Sequence, residues 1–285
     1  MKAYLYIIIL LTITMLSSCN DNDDDSATLS NDLVVEGWIA NDDYPIVMLS
    51  SMVPVSKKDQ KINSLYEYVQ HWAKVTISDG TQEVVLMGKY DKSFMPPYIY
   101  TTTDMKGRVG GTYKLTVTIK GDTATAVTTI PQPVKFDSIL SKPSPKQPFQ
   151  REFQVAFNND GAERNYALFY MVGRRTQQLT VSTYGVFDNT SIDTGTVRYP
   201  VYFSNNLIES RDSALFKTRP QYVCFRLAVI DRTSYNFWSD FMNTYTMSDK
   251  FLMPYTNKIR SNIWGGYGYW CGMGVSDRWV EIDDR

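Results

Sequence analysis

The sequence has few of the residues on which most enzyme and metal chemistry depends. It contains one histidine, His71, and three cysteines among 285 residues. A serine-type triad needs a histidine base, and zinc sites need several His or Cys ligands. No G-x-S-x-G motif accompanies His71, which we interpret as a residue at a strand edge. We therefore expect no metal site, and we identify no catalytic residue.

The chain also lacks an excess of positive charge. Its 29 Lys and Arg residues balance 30 Asp and Glu residues, which gives a formal net charge of −1. Nucleic-acid-binding domains normally carry a clear basic surplus, so we exclude nucleic acid as a partner. Hydrophobic residues make up 43% of the chain and charged residues 21%, which is typical of a globular protein with a sizeable core.

No apolar run is long enough to span a membrane. The run from Tyr4 to Met15 is shorter than the ~20 residues that a transmembrane helix needs, and the letters LSSC follow it, ending at Cys19. Small residues before a cysteine, behind a short apolar run, resemble a bacterial lipobox. We predict a signal peptide over residues 1–18 and lipidation of Cys19, which would anchor the mature protein without a spanning segment.

An acidic segment follows the predicted lipidated cysteine. Asp21, Asp23, Asp24 and Asp25 are followed by small polar residues, and such a segment cannot bury a core. We predict a flexible tether over residues 19–32. Acids at this place resemble the surface-export signal of Bacteroidetes lipoproteins. An EF-hand loop is a poorer interpretation, because a serine occupies the position at which that loop needs glycine.

From residue 33 onward the chain has the pattern of β-strands separated by turns. Segments rich in Thr and Val, in which apolar and polar residues alternate, occur at 73–78, 113–119 and 123–130. An Asp-Gly pair, typical of a hairpin turn, follows the first of these segments. These strands predict an N-terminal antiparallel β-sandwich over residues 33–131, immunoglobulin-like or transthyretin-like. A proline cluster places the domain boundary near residue 132.

Residues 132–285 predict a second β-rich domain with one short helix. The strand patterns in it are those at 149–157, 166–173, 179–187 and 221–230. Ser234 is a candidate helix cap, and aromatic residues recur every four positions after it. We predict a helix over 234–245 with an aromatic stripe that packs on the core. The predicted fold class is therefore mainly β.

The segment 261–274, SNIWGGYGYWCGMG, is the most distinctive in the chain. No helix-forming stretch follows its glycines, so we predict neither a phosphate-binding loop nor a cofactor, and we interpret the glycines as positions of close packing. Its aromatic residues Trp264, Tyr267, Tyr269 and Trp270 are candidates for a ligand or partner surface. The alternatives are a core or a subunit interface. An extended segment would place the two tryptophans on one face and the two tyrosines on the other.

Two cysteines remain besides the predicted anchor. Cys224 and Cys271 both fall in the second predicted domain, and a protein outside the cytoplasm can form disulfides. Cys224 alternates with Phe225 along its strand, so pairing requires Cys271 to approach the face opposite that phenylalanine. The sequence leaves both a disulfide and two free thiols open.

Two motifs resemble a known family. The letters LVVEG at 33–37 and the glycine-rich segment 261–274 resemble the opening strand and closing stretch of the DUF4249 family of Bacteroidetes lipoproteins. The similarity extends over residues 33 to about 280 and departs at Trp270-Cys271, where the family commonly has an aromatic residue and then a small one. The resemblance implies an envelope lipoprotein often encoded beside TonB-dependent outer-membrane transporters. It supplies no catalytic residue.

Together these patterns favour a binding protein over an enzyme. We expect a lipid-anchored outer-membrane protein, facing the cell surface, that is a non-enzymatic binding or accessory component of a TonB-dependent transporter. One alternative is a carboxylate-dependent surface enzyme acting on carbohydrate, which needs two carboxyl groups about 5–10 Å apart. Another is a structural or adhesive envelope lipoprotein.

Overall fold

The computed structural model describes residues 33–52, 66–143, 151–173, 179–202, 221–248 and 259–282. Cys19 and the four tether aspartates lie outside these ranges, so lipidation and the export signal stay predictions. The strands are β1 (Leu33–Ala40), β2 (Ile46–Ser51), β3 (Lys74–Ser78), β4 (Glu83–Tyr90), β5 (Tyr98–Thr101), β6 (Thr112–Ile119), β7 (Asp122–Thr129), β8 (Phe136–Pro143), β9 (Arg151–Asn159), β10 (Asn165–Val172), β11 (Thr180–Asp188), β12 (Gly195–Val201), β13 (Gln221–Ile230) and β14 (Tyr267–Ile282). The helix among the described residues is α1 (Arg232–Ser248). The prediction of a mainly β fold with a late helix is confirmed.

Strands β1–β7 and β14 form one closed unit, which we call the N-terminal barrel. Its strand order is β14-β1-β2-β5-β4-β3-β6-β7, and β14 runs parallel to β1. The backbone of Trp264, just before β14, exchanges two hydrogen bonds of 2.8 Å with Thr125 of β7 and so closes the ring of strands. The apolar side chains that alternate along these strands fill a single core inside it.

The sheet continues across the predicted domain boundary. Residue 132 lies between β7 and β8, but β14 pairs with β1 on one side and with β13 on the other. The eleven-stranded sheet therefore contains strands from both predicted domains. Trp270 of β14 is fully buried in the barrel core, and its indole N–H donates a 3.0 Å hydrogen bond to the carbonyl oxygen of Tyr113. The barrel core is thus completed by a residue from the C-terminal part.

Two further layers cover the C-terminal part of this sheet. The three-stranded sheet β12-β9-β8 shares an aromatic-rich core with one face of β10 and β13. On the opposite face, Phe237 and Trp238 of α1 pack against Tyr269 of β14, with ring centroids 4.8 Å apart in both pairs. Phe237 and Trp238 of the predicted aromatic stripe therefore contact the core, whereas Phe241, the next member of the stripe, is 39% exposed.

The helix starts earlier than predicted, because Ser234 is not its cap. The carboxylate of Asp231 accepts hydrogen bonds of 2.7 Å from the backbone N–H of Ser234 and from the hydroxyl of Thr233. This arrangement is an N-cap at Asp231, which satisfies donors of the first helical turn. Ser234 lies in the first turn of the helix and is fully buried.

The glycines of β14 serve close packing, as interpreted from the sequence. A Cβ atom added at Gly268, Gly272 or Gly274 would lie less than 3.0 Å from a backbone carbonyl oxygen of β1, β7 or the chain just after β7. Real side chains do not tolerate that approach, so only glycine lets β14 lie against these backbones.

The disulfide alternative is wrong. Cys224 lies opposite Trp279 across the β13–β14 pair, whereas Cys271 lies opposite Trp38 across the β14–β1 pair. The separation of eight positions along β14 corresponds to about 26 Å, far beyond the reach of a disulfide. Both thiols are free and buried. Burial raises the pKa of Cys224 to about 12 and that of Cys271 further, so neither thiol is a candidate nucleophile.

Candidate functional site

The four aromatic residues that were predicted to form a surface differ in their exposure to solvent. Trp264 is 81% exposed and Tyr267 is 37% exposed, but Tyr269 and Trp270 are buried. Tyr269 packs in the core under α1, and Trp270 packs on the other face of the sheet, inside the barrel. Trp264 precedes the strand, so alternation does not place it with Trp270. The prediction of a surface is therefore wrong for Tyr269 and Trp270, because β14 is a central strand covered on both faces.

A groove of about 460 Å³ lies beside Trp264. Its walls come from β7, from the first turns of α1 and from the segment that leads into β14. The lining residues are Thr125, Ala126, Val127, Thr233, Asn236, Arg260, Ser261, Asn262 and Trp264. We call this site the Trp264 groove. The groove is a candidate ligand site because it is concave and combines one large aromatic side chain with several polar ones.

The backbone around Trp264 is held firmly. Its N–H and C=O both pair with Thr125, and the next residue, Gly265, has a φ of +80° that a side chain would strain. A Cβ atom at Gly265 would also meet the carbonyl oxygen of Thr123. On the other side, the side-chain amide of Asn262 bonds both the N–H and the C=O of Trp270, at 2.9 and 2.8 Å. The exposed indole therefore projects from a fixed turn.

The charged residue of the groove is neutralised by a partner. The guanidinium of Arg260 makes two hydrogen bonds, of 2.7 and 2.8 Å, with the carboxylate of Asp240 on α1. Arg260 lowers the pKa of Asp240, chiefly by this hydrogen bonding, and the pKa of Arg260 is raised for the same reason. Asp240 thus stays ionised and paired. The groove offers hydroxyl, amide and indole groups but no unpaired cation among the described lining residues.

A polar connection ties the helical wall to the barrel. The Asp231 carboxylate that caps α1 also accepts a 2.7 Å hydrogen bond from the hydroxyl of Thr128 on β7. The same hydroxyl accepts a 2.7 Å bond from the N–H of Gly272 on β14. These bonds fix the first turn of α1, which carries Thr233 and Asn236, relative to β7 and β14. The groove is therefore preformed.

Sequence reasoning found Trp264 and missed the other groove residues. Thr125, Thr233, Asn236 and Arg260 are separated by up to 135 positions and carry no motif. They come together only because β7 pairs with the segment before β14 and because α1 packs beside both. The one local sequence feature that points to the groove is Ser-Asn-Ile-Trp-Gly-Gly, in which a bulky residue precedes two glycines.

Metal-binding clusters are absent from the described residues. There, no three His, Cys, Asp or Glu side chains lie close enough together to hold a metal ion. His71 is an exposed residue whose ring lies 4.4 Å from the ring of Tyr98. Burial raises the pKa of Glu36, but this residue lies on β1, away from the groove lining. Within the described ranges, no helix is both long enough and apolar enough to cross a membrane.

Comparison of the sequence with known proteins identifies the family of this chain. No curated protein matches the chain. The model of a family described as a domain of unknown function, DUF4249, matches residues 22–278. This range includes the opening strand β1, the Trp264 groove and most of β14, and it covers nearly the whole chain after the predicted anchor. The resemblance inferred from the sequence is confirmed: the chain belongs to the DUF4249 family.

Proposed function

We propose that this protein is a surface-exposed, lipid-anchored outer-membrane protein that binds a ligand in the Trp264 groove and works beside a TonB-dependent transporter. The location rests on the predicted signal peptide and on Cys19, followed by an acidic tether. The transporter as partner rests on the family resemblance. The observation that carries the binding role is Trp264, a large aromatic side chain that is 81% exposed on a rigid turn beside a preformed groove.

The chemistry of the groove favours a neutral ligand with hydroxyl groups. Trp264 supplies a flat apolar face on which a ring can stack, while Thr125, Asn236 and Ser261 supply hydrogen-bonding groups. The pairing of Arg260 with Asp240 leaves no free cation to attract phosphate or carboxylate. Neutral oligosaccharides have this combination of hydroxyl groups and an apolar ring face, and we propose them as the ligand class.

Binding fits the groove better than the alternative of a carbohydrate-directed enzyme. Asp240, which pairs with the lining residue Arg260, has a lowered pKa because of that arginine, whereas a general acid needs a raised one. Hydrolysis of a glycosidic bond also needs a second carboxylate facing the first, and no Asp or Glu is among the described groove residues.

The binding role predicts a specific effect of removing the exposed indole. Trp264→Ala should weaken the binding of a neutral oligosaccharide by about 10- to 30-fold, because a central aromatic residue typically contributes about 2 kcal/mol. The measurement is isothermal titration of the full-length protein in detergent against a panel of neutral oligosaccharides. Trp279→Ala is the matched control, since Trp279 is 49% exposed on β14 outside the groove.

Two outcomes would count against this role. In one, wild-type protein binds no member of the panel. In the other, the Trp264→Ala and Trp279→Ala proteins bind an oligosaccharide equally well, so the groove is not where it binds.

A further inference from the structure

A second group of exposed aromatic and methionine side chains lies at one end of the N-terminal barrel. Trp72 is 92% exposed and Tyr90 is 64% exposed, and three other large apolar residues near them are also exposed. We call this group the barrel-end surface. Its members are Met52, Tyr66, Trp72, Tyr90 and Met95.

Strand pairing and side-chain contacts link members of this surface locally. The hydroxyl of Tyr66 lies 3.6 Å from the sulfur of Met95. Tyr98 pairs with Tyr90 across β4 and β5, and its hydroxyl donates a 3.2 Å hydrogen bond to the carbonyl oxygen of His71, next to Trp72. The five members therefore lie at the same end of the barrel, where β2 and β4 end and where β3 and β5 begin. Contiguous exposed patches of this kind mark protein or membrane contacts.

The patch lies at the end of the barrel where the predicted tether joins. β1 begins at Leu33, which pairs with Ser51, the residue before Met52. The hydroxyl of Ser51 also contacts the carbonyl oxygen of Tyr68, two residues after Tyr66. The predicted tether, residues 19–32, therefore enters the barrel directly beside the patch.

The tether length limits how far this end can move from the membrane. A flexible chain of that length has a root-mean-square span of about 20 Å. A lipid on Cys19 would thus hold the barrel end close to the bilayer, at a high effective concentration relative to the lipid surface. The opposite end of the barrel, with the β3–β4 turn at Asp79-Gly80, would face away.

The residue types also suit a lipid surface. Trp and Tyr are enriched at membrane–water interfaces, where the ring contacts apolar groups and the polar tip contacts water and headgroups. Three exposed lysines surround the patch, Lys74 at the start of β3, Lys92 after β4 and Lys120 in the β6–β7 turn, together with the exposed Glu67. Lysines at this position can contact anionic headgroups.

We infer that the barrel-end surface rests on the outer-membrane surface and orients the protein, with Trp72 inserted at the headgroup level. The inference rests on the lipid anchor of the proposed function, but it adds a contact that the anchor alone does not require.

The test uses the full-length protein purified from its native membranes and reconstituted into vesicles of phosphatidylethanolamine and phosphatidylglycerol. Half of the vesicles carry lipids brominated on the acyl chains near the glycerol, which quench nearby tryptophan fluorescence. The variants are Trp72→Phe and, as a matched control, Trp279→Phe. We expect quenching of wild-type fluorescence, loss of most of that quenching in Trp72→Phe, and full quenching in Trp279→Phe.

Flotation of the vesicles separates the two ways in which this can fail. Protein that does not float with the vesicles contradicts the anchor and with it the inference. Protein that floats but is not quenched, or that is quenched equally in Trp72→Phe, is anchored without docking and overturns the inference alone. Because Trp72 is almost fully exposed, its replacement should leave the fold intact, which circular dichroism checks.

Discussion

Replacing Trp270 by alanine is expected to lower the free energy of unfolding by about 3–5 kcal/mol. The side chain is fully buried and is the largest member of the barrel core. Its loss would leave a cavity among residues of β1–β7 and would also leave the carbonyl oxygen of Tyr113 without its indole donor. Urea denaturation followed by circular dichroism measures the effect.

The control for this prediction is the other tryptophan of the same segment. Trp264→Ala removes an exposed side chain and should change the free energy of unfolding by less than about 0.5 kcal/mol. Similar losses in both variants would show that Trp270 is not a core residue of the barrel. They would also contradict the completion of the barrel core by a residue of β14.

Gly268→Ala should be the most damaging of the glycine substitutions that the structure allows us to compare. Gly268 has a φ of +107°, and an added Cβ would collide with the carbonyl oxygen of Val35 in the parallel β1–β14 pair. Positive φ alone costs about 1 kcal/mol for a residue with a side chain, and forced overpacking costs about 1–3 kcal/mol more. The expected total is about 2–4 kcal/mol.

Gly121→Ala is the matched control, because it isolates the strain from the collision. Gly121 has a φ of +101° in the β6–β7 turn, and no atom lies within 4 Å of an added Cβ. This variant should lose only about 1 kcal/mol. If both variants unfold at the same urea concentration, β14 does not approach β1 as closely as the structure has it.

The sequence predicted β6 closely but missed β14. The pattern at 113–119 gave β6 to within one residue, because one face of that strand is buried and the other is polar. β14 was not predicted as a strand, because glycine is disfavoured in strands and its residues do not alternate between apolar and polar. Its length of 16 residues and its pairing with both β1 and β13 depend on contacts that are remote in sequence.

The arrangement of the groove residues could also not be predicted from local sequence patterns. The prolines near residue 132 lie in the connection between β7 and β8. They give no indication that β14 pairs with β1. The exposure of Trp264 and the burial of Trp270 depend on that pairing, since the two residues share similar sequence surroundings. Residue type identified a candidate aromatic, and tertiary pairing decided which of the four could meet a ligand.

In the proposed function, the two ends of the sequence have different roles. The N-terminal residues carry the predicted anchor, and the C-terminal strand completes the barrel and holds Trp264 beside the groove. In the proposed function, the acidic tether is an export signal and a spacer, and the ligand binds to the folded part. This arrangement suits a component that collects a ligand at the membrane surface for a neighbouring transporter.

The proposed association with a TonB-dependent transporter is tested most directly by affinity purification. The tagged protein is purified from native outer membranes in mild detergent, and the recovered proteins are identified by mass spectrometry. The account predicts that wild-type protein co-purifies with a TonB-dependent transporter and that Cys19→Ala, which removes the predicted anchor, does not. Recovery of intact wild-type protein from the outer membrane without any such transporter would contradict the central claim.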